Sequence, residues 1–282
     1  MVNFTARGLM PPVFTPLNDD HTINYGVIPA YAKFLADSGI KSVLVGGTTG
    51  EHMSLSVADR KKVVDAWVVA AKTTGLHIQV QVGGAPLADV IELARFCQDV
   101  GADSLLTLPE LYFKPSTVDD LVFYVSQVAK AAPKLPVLYY HIPSMSKVEI
   151  NMPAFVTAAT ASIPNFKGIK FTSNDLSEGA QVLRALKDGQ EMFLGADTDT
   201  RTKHRRTSWH QTVTFSHVDV IQCLTAFTIQ SSFICPWVPI MKAGMEIVTG
   251  IKVGPPSLPQ KPLSSEAKQR IHSKLRTLGL SK

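Results

Sequence analysis

Over its first 195 residues, the sequence alternates short apolar runs, rich in β-branched residues, with longer segments of helical periodicity. Segment 56–74, for example, has its apolar residues at helical spacing, and Ser56 with Asp59 resembles a capping box at its start. Seven runs have about the length of a β-strand, and these are 12–16, 42–46, 77–82, 104–108, 136–140, 167–171 and 191–195. The sequence therefore predicts repeated strand–helix units.

Such an alternation predicts an α/β fold with a parallel sheet, because parallel neighbours need a crossover connection between them. A doubly wound open sheet and a (β/α)8 barrel both accommodate these units. The barrel is favoured because no Gly-x-Gly-x-x-Gly follows an early strand, which weakens the dinucleotide-binding form of the open sheet. In a barrel, the active site lies at the carboxyl ends of the strands.

The composition is typical of a globular protein. Hydrophobic residues make up 45% of the chain and charged residues 18%, which excludes global disorder. No apolar run approaches the roughly 18 residues of a membrane span. Residues 1–8 lack the apolar segment of a signal peptide, so we expect a cytoplasmic protein. Three cysteines without a Cys-x-x-Cys motif predict neither a disulfide framework nor a zinc site, and Cys97 is expected in the core.

A glycine- and threonine-rich string, Gly-Gly-Thr-Thr-Gly-Glu at residues 46–51, directly follows the second predicted strand. Glycines let a backbone approach a ligand closely, while the hydroxyls of Thr48 and Thr49 and consecutive N–H groups can bind a carboxylate or a phosphate. The string is not a P-loop, because no lysine follows its last glycine. An ordinary turn with a threonine cap is the alternative interpretation.

Lys170 lies between Ile169 and Phe171 in the sixth predicted strand, where little other charge is present. Lysine is seldom buried without a partner. A buried amine loses its proton more readily than an exposed one, and a neutral amine can attack a carbonyl carbon to form a Schiff base. The alternative is a strand-end lysine whose aliphatic stem packs while its ammonium reaches water.

Tyr140 ends the preceding predicted strand, so its phenol and the Lys170 amine can face one site in a barrel. A phenol near an iminium can relay a proton to or from a substrate oxygen. Ordinary aromatic packing is the alternative, and either Tyr139 or Tyr140 must face away from the barrel interior. His141 is interpreted as a turn hydrogen-bonder, because no second histidine or carboxylate stands at metal-ligand spacing, and no metal is predicted.

Three ordered motifs resemble the dihydrodipicolinate synthase / N-acetylneuraminate lyase family of class I aldolases. They are Gly47-Thr-Thr-Gly-Glu51, Tyr140-His-Ile-Pro143 and Gly168-Ile-Lys-Phe-Thr172. The resemblance runs from about Gly8 to Asp197 and resumes over residues 242–263. Within the family, the strings at 113–115 and 139–143 are most similar to the lyase branch.

This resemblance implies a TIM barrel with a C-terminal helical extension, and the departure from the family after Asp197 predicts an aberrant or incomplete seventh–eighth unit. It implies a homotetramer, without a metal or organic cofactor, that cleaves N-acetylneuraminate (sialic acid) to pyruvate and N-acetylmannosamine through a Schiff base. The implied site residues are the catalytic Lys170 and Tyr140, the pyruvate-carboxylate-binding Thr48 and Thr49, and the sugar-contacting Thr172, Gly195 and Asp197.

The resemblance fails after Asp197. The family continues with a glutamate, a helix and a glycine-rich eighth strand, whereas this chain has Thr198 at the position of the glutamate and no glycine over 196–243. Residues 1–195 carry 16 basic and 18 acidic side chains, but residues 196–282 carry 12 basic and 5 acidic ones. We therefore divide the chain into family-like barrel units, a divergent basic segment and a C-terminal helical extension, at 1–197, 198–241 and 242–282.

Three interpretations of the 198–241 segment remain open at this stage. Basic residues flank Trp209, which suits a nucleic-acid or phosphate patch, and a solvated basic loop is the ordinary reading. Abrupt edges and the missing glycines favour an alternative exon or a frame-shifted stretch. Within the segment, Thr212–Val220 alternates loosely like a strand and 220–227 has helical spacing.

Two functions other than sialic acid cleavage also remain open. The lost glutamate would alter selectivity, so a related pyruvate-dependent aldolase acting on another 2-oxo acid is one alternative. A catalytically impaired isoform with no enzymatic role is the other. In each enzymatic case we expect a small-molecule partner, with no nucleic acid and no membrane.

Overall fold

A computed structural model describes residues 2–195 and 237–280 of the chain. Within them, six strands form one sheet in which each strand pairs in parallel with the next along the chain. The strands are β1 (Ser42–Val45), β2 (His77–Gln81), β3 (Ser104–Thr107), β4 (Val137–His141), β5 (Phe166–Phe171) and β6 (Glu191–Leu194). A strand order without reversal has no topological switch point, so it is the order of a (β/α)8 barrel and not of a doubly wound sheet.

Helices connect successive strands and cover the outer face of the sheet. The helices are α1 (Ile28–Asp37), α2 (Val57–Thr74), α3 (Leu87–Val100), α4 (Val118–Ala131), α5 (Pro143–Ser146), α6 (Met152–Ser162), α7 (Leu176–Ala185), α8 (Trp237–Thr249) and α9 (Ser265–Thr277). The predicted helix start at Ser56 is confirmed, because the Ser56 hydroxyl accepts the Asp59 N–H at 3.1 Å. Gly75, in the left-handed region at φ 68°, ends α2.

The first predicted strand, 12–16, is not a strand in the described residues. It makes one isolated bridge, in which the Val13 N–H donates to Leu44 O and the Leu44 N–H donates to Pro11 O, both at 3.0 Å. Proline has no N–H, and three prolines over residues 11–16 leave too few donors for a regular ladder. The segment nevertheless lies along β1, where a barrel strand is expected.

Two apolar clusters separate the two faces of the sheet. The larger one lies between the strands and the helices and contains Tyr139 and the buried Cys97, as predicted for that cysteine. A smaller cluster fills the inner face and contains Leu106, Leu138 and Tyr140. The expectation that the two consecutive tyrosines face opposite sides is confirmed, because Tyr139 belongs to the outer cluster and Tyr140 to the inner one. Side chains alternate in this way across a strand.

The C-terminal helices α8 and α9 pack against each other through Ile240, Ile271 and Leu275. Helix α8 includes Trp237–Thr249 in the described residues, so it contains the predicted boundary at 242. The strand-like and helix-like patterns predicted within 212–227 lie outside the described residues. In the part of the chain that the structure describes, no helix is both long enough and apolar enough to cross a membrane.

Candidate active site

Tyr140 and Lys170 occupy paired positions on the adjacent strands β4 and β5. Tyr140 is buried, and the Lys170 Nζ lies 4.5 Å from the centroid of its ring. An ammonium at this distance from a tyrosine face is attracted by the ring quadrupole. The two predicted catalytic residues therefore meet on the inner face of the sheet, at the carboxyl ends of their strands.

A β-bulge in β5 determines which way Lys170 points. Phe166 and Ile169 both belong to the outer apolar cluster although they are three positions apart, an odd spacing that strict alternation would place on opposite faces. The register shows the cause, because Phe166 pairs with Val137 while Gly168 pairs with the very next residue, Leu138. One extra residue is thus accommodated, and Lys170 is directed inward instead of toward the helices.

Gly168 makes this bulge possible. Its φ of 133° lies where residues with a side chain are rarely found, and a Cβ at this position would collide with the Glu191 carbonyl oxygen of β6. The glycine of the Gly-Ile-Lys motif therefore allows β5, the strand that carries Lys170, to lie close to β6.

The loop after β1 brings Thr48 to the same place. Its hydroxyl lies 3.3 Å from the Tyr140 hydroxyl, and either of the two groups can be the donor. The Gly50 N–H donates to Gly47 O at 3.0 Å and the Glu51 N–H donates to Thr48 O at 3.2 Å, which closes the loop into a compact turn. Thr49 is buried within this turn.

His52 and Arg60 are buried residues that contact the loop after β1. A Cβ on Gly46, whose φ is 77°, would collide with the His52 ring, so the glycine permits this close packing. Burial, aided by the nearby Arg60 guanidinium, lowers the pKa of His52 to about 3. The buried Arg60 donates to the carbonyl oxygens of His52, Gly83 and Gly84 at 2.6, 3.1 and 3.3 Å, so it joins the loops after β1 and β2.

Thr172 and Gly195 follow the ends of β5 and β6. The Gly195 N–H donates to Phe171 O at 2.8 Å. A Cβ on Gly195 would collide with the Thr172 hydroxyl oxygen and lie 3.0 Å from the Lys170 Cε. That hydroxyl oxygen is buried and has no hydrogen-bond partner among the described residues. The remaining predicted site residue, Asp197, lies outside the described residues.

His141 does not belong to a metal cluster in the described part of the chain, where no three His, Cys, Asp or Glu side chains gather suitably. Its ring is buried at the end of β4, with Nε2 3.8 Å from a Glu178 carboxylate oxygen, and burial lowers its pKa to about 4. Its carbonyl accepts the Thr172 N–H at 2.8 Å. His141 thus helps to hold β4 against the end of β5.

An ion pair between Glu51 and Lys242 was not foreseen from the sequence. The Lys242 Nζ lies 2.7 Å from a Glu51 carboxylate oxygen, and both side chains are 1% exposed. Glu51 ends the glycine-rich string and Lys242 opens the resumed resemblance, so each residue stood inside a recognised motif. Their pairing was not visible because it depends on how α8 packs against the loop after β1.

Six of the seven predicted site residues lie in the described part of the chain. Five of these lie close together, as shown by a ring contact, a hydroxyl pair and the lack of room for a Cβ on Gly195. Lys170 joins Tyr140 by stacking, Tyr140 joins Thr48 through the hydroxyl pair, and Gly195 faces both Lys170 and Thr172. The group combines an amine, a phenol and two further hydroxyls. Such a set can form an imine with a carbonyl substrate and move protons beside it.

Among known proteins, the chain is similar to several N-acetylneuraminate lyases. Human (Homo sapiens) N-acetylneuraminate lyase is 31% identical over 298 residues, covering 96% of this chain and 92% of that protein. The solved structure of Proteus mirabilis N-acetylneuraminate lyase is 29% identical with a TM-score of 0.82, and the alignment covers 98% of this chain and 99% of that one. The solved structure of N-acetylneuraminate lyase (sialic acid aldolase) from Aliivibrio salmonicida is 27% identical with a TM-score of 0.78, and the alignment covers 100% of this chain and 99% of that one.

A model of the dihydrodipicolinate synthetase family matches residues 5–205. This match extends eight residues beyond the limit at Asp197 that the motifs indicated. The resemblance based on three short motifs is thereby confirmed over most of the chain. The chain belongs to the dihydrodipicolinate synthetase family.

Proposed function

We propose that this protein is a Schiff-base aldolase that cleaves N-acetylneuraminate to pyruvate and N-acetylmannosamine. The observation that carries the proposal is the convergence of Lys170, Tyr140 and Thr48 from three strand ends on the inner face of the sheet. The similarity to lyases that cover nearly the whole chain supports the choice of substrate.

The reaction begins at the keto carbon of the open-chain sugar acid. The Lys170 amine adds to this carbon, and uptake of one proton with loss of water leaves an iminium. Tyr140 relays the proton of the C4 hydroxyl, and the relayed proton is the one later delivered to C3. As this proton leaves the hydroxyl, the C3–C4 bond breaks, and the electron pair of that bond moves into the iminium to form an enamine. N-acetylmannosamine leaves with the new aldehyde, the enamine is protonated at C3, and water releases pyruvate from Lys170.

The surrounding residues orient the two halves of the substrate. Thr48 and Thr49, with the N–H groups of their turn, bind the carboxylate next to the keto carbon. Thr172 offers for the sugar-derived half a hydroxyl that has no partner among the described residues, and Gly195, without a Cβ, allows this hydroxyl to lie against it. Asp197 is assigned to the same half by the family resemblance. No step requires a metal or an organic cofactor, because the iminium is the electron sink.

Trapping of the imine with borohydride tests the proposal directly. Incubation with pyruvate and sodium borohydride should add one reduced pyruvate to Lys170, which intact-mass and peptide mass spectrometry would locate. The K170A variant should form no adduct, whereas K167A, in the same strand, should form it at close to the wild-type rate. A folded wild-type protein that forms no adduct would refute the aldolase mechanism.

Turnover of N-acetylneuraminate tests the choice of substrate separately. Release of pyruvate from this sugar acid, measured with a coupled dehydrogenase, is the expected result. An adduct without turnover would instead indicate a different 2-oxo acid as the substrate.

We also propose that the protein is a homotetramer, which light scattering on a sizing column would check, and that its location is cytoplasmic.

A further inference from the structure

Glu51 ends the threonine-rich turn and has unusual surroundings for a carboxylate. The residue is 3% exposed, its backbone is in the left-handed region at φ 55°, and its N–H closes the turn on Thr48 O. One carboxylate oxygen accepts the Ser257 N–H at 2.7 Å and the Gln260 side-chain amide at 2.9 Å. The other oxygen lies 2.7 Å from the Lys242 Nζ. All three of these partners belong to the C-terminal part of the chain.

Lys242 connects the same region to the beginning of the chain. Its ammonium donates to Thr15 O at 3.1 Å and to Pro255 O at 2.8 Å, in addition to the ion pair with Glu51. The Thr15 hydroxyl in turn donates to Gly50 O at 2.6 Å. The backbone on both sides of residues 50 and 51 is therefore held by one buried network.

Burial lowers the pKa of Lys242, while the charge of Glu51 opposes this shift. A buried ion pair is a poor source of stability, because the cost of removing two charges from water offsets their attraction. In some proteins such buried polar groups instead fix one local geometry. The network acts on the turn that carries Thr48 and Thr49, and it does not contact Lys170 or Tyr140.

We propose that Glu51 and Lys242 are positioning residues for the pyruvate carboxylate, and that the C-terminal region holds the threonine turn in its binding conformation through them. This inference rests on the proposed aldolase function and deepens it. It makes helix α8 and residues 255–260 part of the apparatus for substrate binding, although none of them reaches the reacting atoms.

The test uses the full-length chain and measures borohydride trapping over a range of pyruvate concentrations. The E51Q/K242M double variant removes both charges together, so that neither is left buried and unpaired, and Q260A removes one hydrogen bond while the ion pair stays. Each single charge variant should be less stable than the double variant, since it leaves one unpaired buried charge. Circular dichroism and thermal unfolding establish that each variant is folded.

We expect the half-saturating pyruvate concentration of the double variant to rise about tenfold, as when a hydrogen bond to a charged group is weakened. For Q260A we expect a rise of about threefold. The limiting trapping rate should stay within about twofold of wild type, because the Lys170 environment is unchanged. Methyl pyruvate lacks the carboxylate charge, so its half-saturating concentration should not change in either variant.

The matched control is D19N/K252M, which removes an exposed ion pair of 3.4 Å and should leave every trapping parameter unchanged. Unaltered half-saturation for pyruvate in the folded variants would overturn the inference, and so would an equal weakening of pyruvate and methyl pyruvate. If E51Q/K242M does not fold, Q260A alone decides between these outcomes. Failure of the wild-type protein to form any adduct would instead refute the proposed function.

Discussion

The Lys170 Nζ lies 4.5 Å from the centroid of the Tyr140 ring because the two residues are register partners on adjacent parallel strands. The ring face holds the amine, and the phenolic hydroxyl at the ring edge points to Thr48 at 3.3 Å. In the proposed mechanism this side chain would have two separable functions: its ring would place the nucleophile, and its hydroxyl would move the proton.

Replacing Tyr140 with phenylalanine should separate these functions. The Y140F variant keeps the ring under Lys170 but lacks the hydroxyl, so we expect kcat for cleavage to fall by about 10² to 10⁴, the usual contribution of general acid–base catalysis. Pyruvate trapping should fall much less. The control is Y139F, because the Tyr139 hydroxyl is on the outer face of the sheet. Equal losses in trapping and cleavage would contradict this assignment.

Gly195 should not tolerate a side chain. In G195A the added methyl group would collide with the Thr172 hydroxyl oxygen and press on the Lys170 Cε. Displacement of a reacting group by about 1 Å can cost roughly 100-fold in rate, so we expect such a loss in kcat/KM. The G26A variant has room for its Cβ, 3.4 Å from the Asn24 side chain, and should match wild type. Near-normal activity in G195A would show that this contact is irrelevant.

Stability should fall in acid because His52 is buried in its neutral form. Its native pKa of about 3 is below the value near 6.5 of an unfolded histidine, so the unfolded chain takes up the proton first. The corresponding stability is complete above pH 6.5 and is lost as the pH falls toward 3. Between pH 6.5 and 4.5 we expect a loss of roughly 2–3 kcal/mol from this group.

Urea unfolding at a series of pH values measures this dependence. An H52Q variant should show a shallower decline in the free energy of unfolding than wild type. An H272Q variant changes an exposed side chain on α9 and should keep the wild-type slope. Identical slopes for H52Q and wild type would show that His52 does not contribute.

The N-cap of α2 offers a prediction about stability that is independent of the active site. The S56A variant loses the hydroxyl that accepts the Asp59 N–H, and we expect the free energy of unfolding to fall by about 1 kcal/mol. The S126A variant, in the interior of α4, should change it by less than about 0.5 kcal/mol. Urea midpoints at neutral pH distinguish the two. An unchanged free energy of unfolding in S56A would show that tertiary packing alone, and not the Ser56 cap, determines where α2 starts.

Much of the fold was predictable because its signals are local. Short apolar runs rich in β-branched residues indicated β1 to β6, the Ser56 cap indicated the start of α2, and the repeated strand–helix units favoured a barrel. The segment 12–16 was predicted wrongly as a strand, because apolar and β-branched residues there outweighed the prolines that remove its ladder donors. The residues 196–236 carry no structural description, so the divergent basic segment stays a prediction.

The sequence by itself indicated the parallel α/β architecture and the candidate site residues, and it required the two consecutive tyrosines of β4 to face opposite sides of the sheet. Only the tertiary structure decided that Lys170 points inward, because the bulge at Gly168 reverses the alternation that a regular strand would give it. Only the tertiary structure likewise joined Glu51 to Lys242. The bulge depends on the approach of β6, and although Gly168 permits it, a glycine alone does not fix the register of a strand. The buried ion pair depends on the packing of a distant helix and has no local signal.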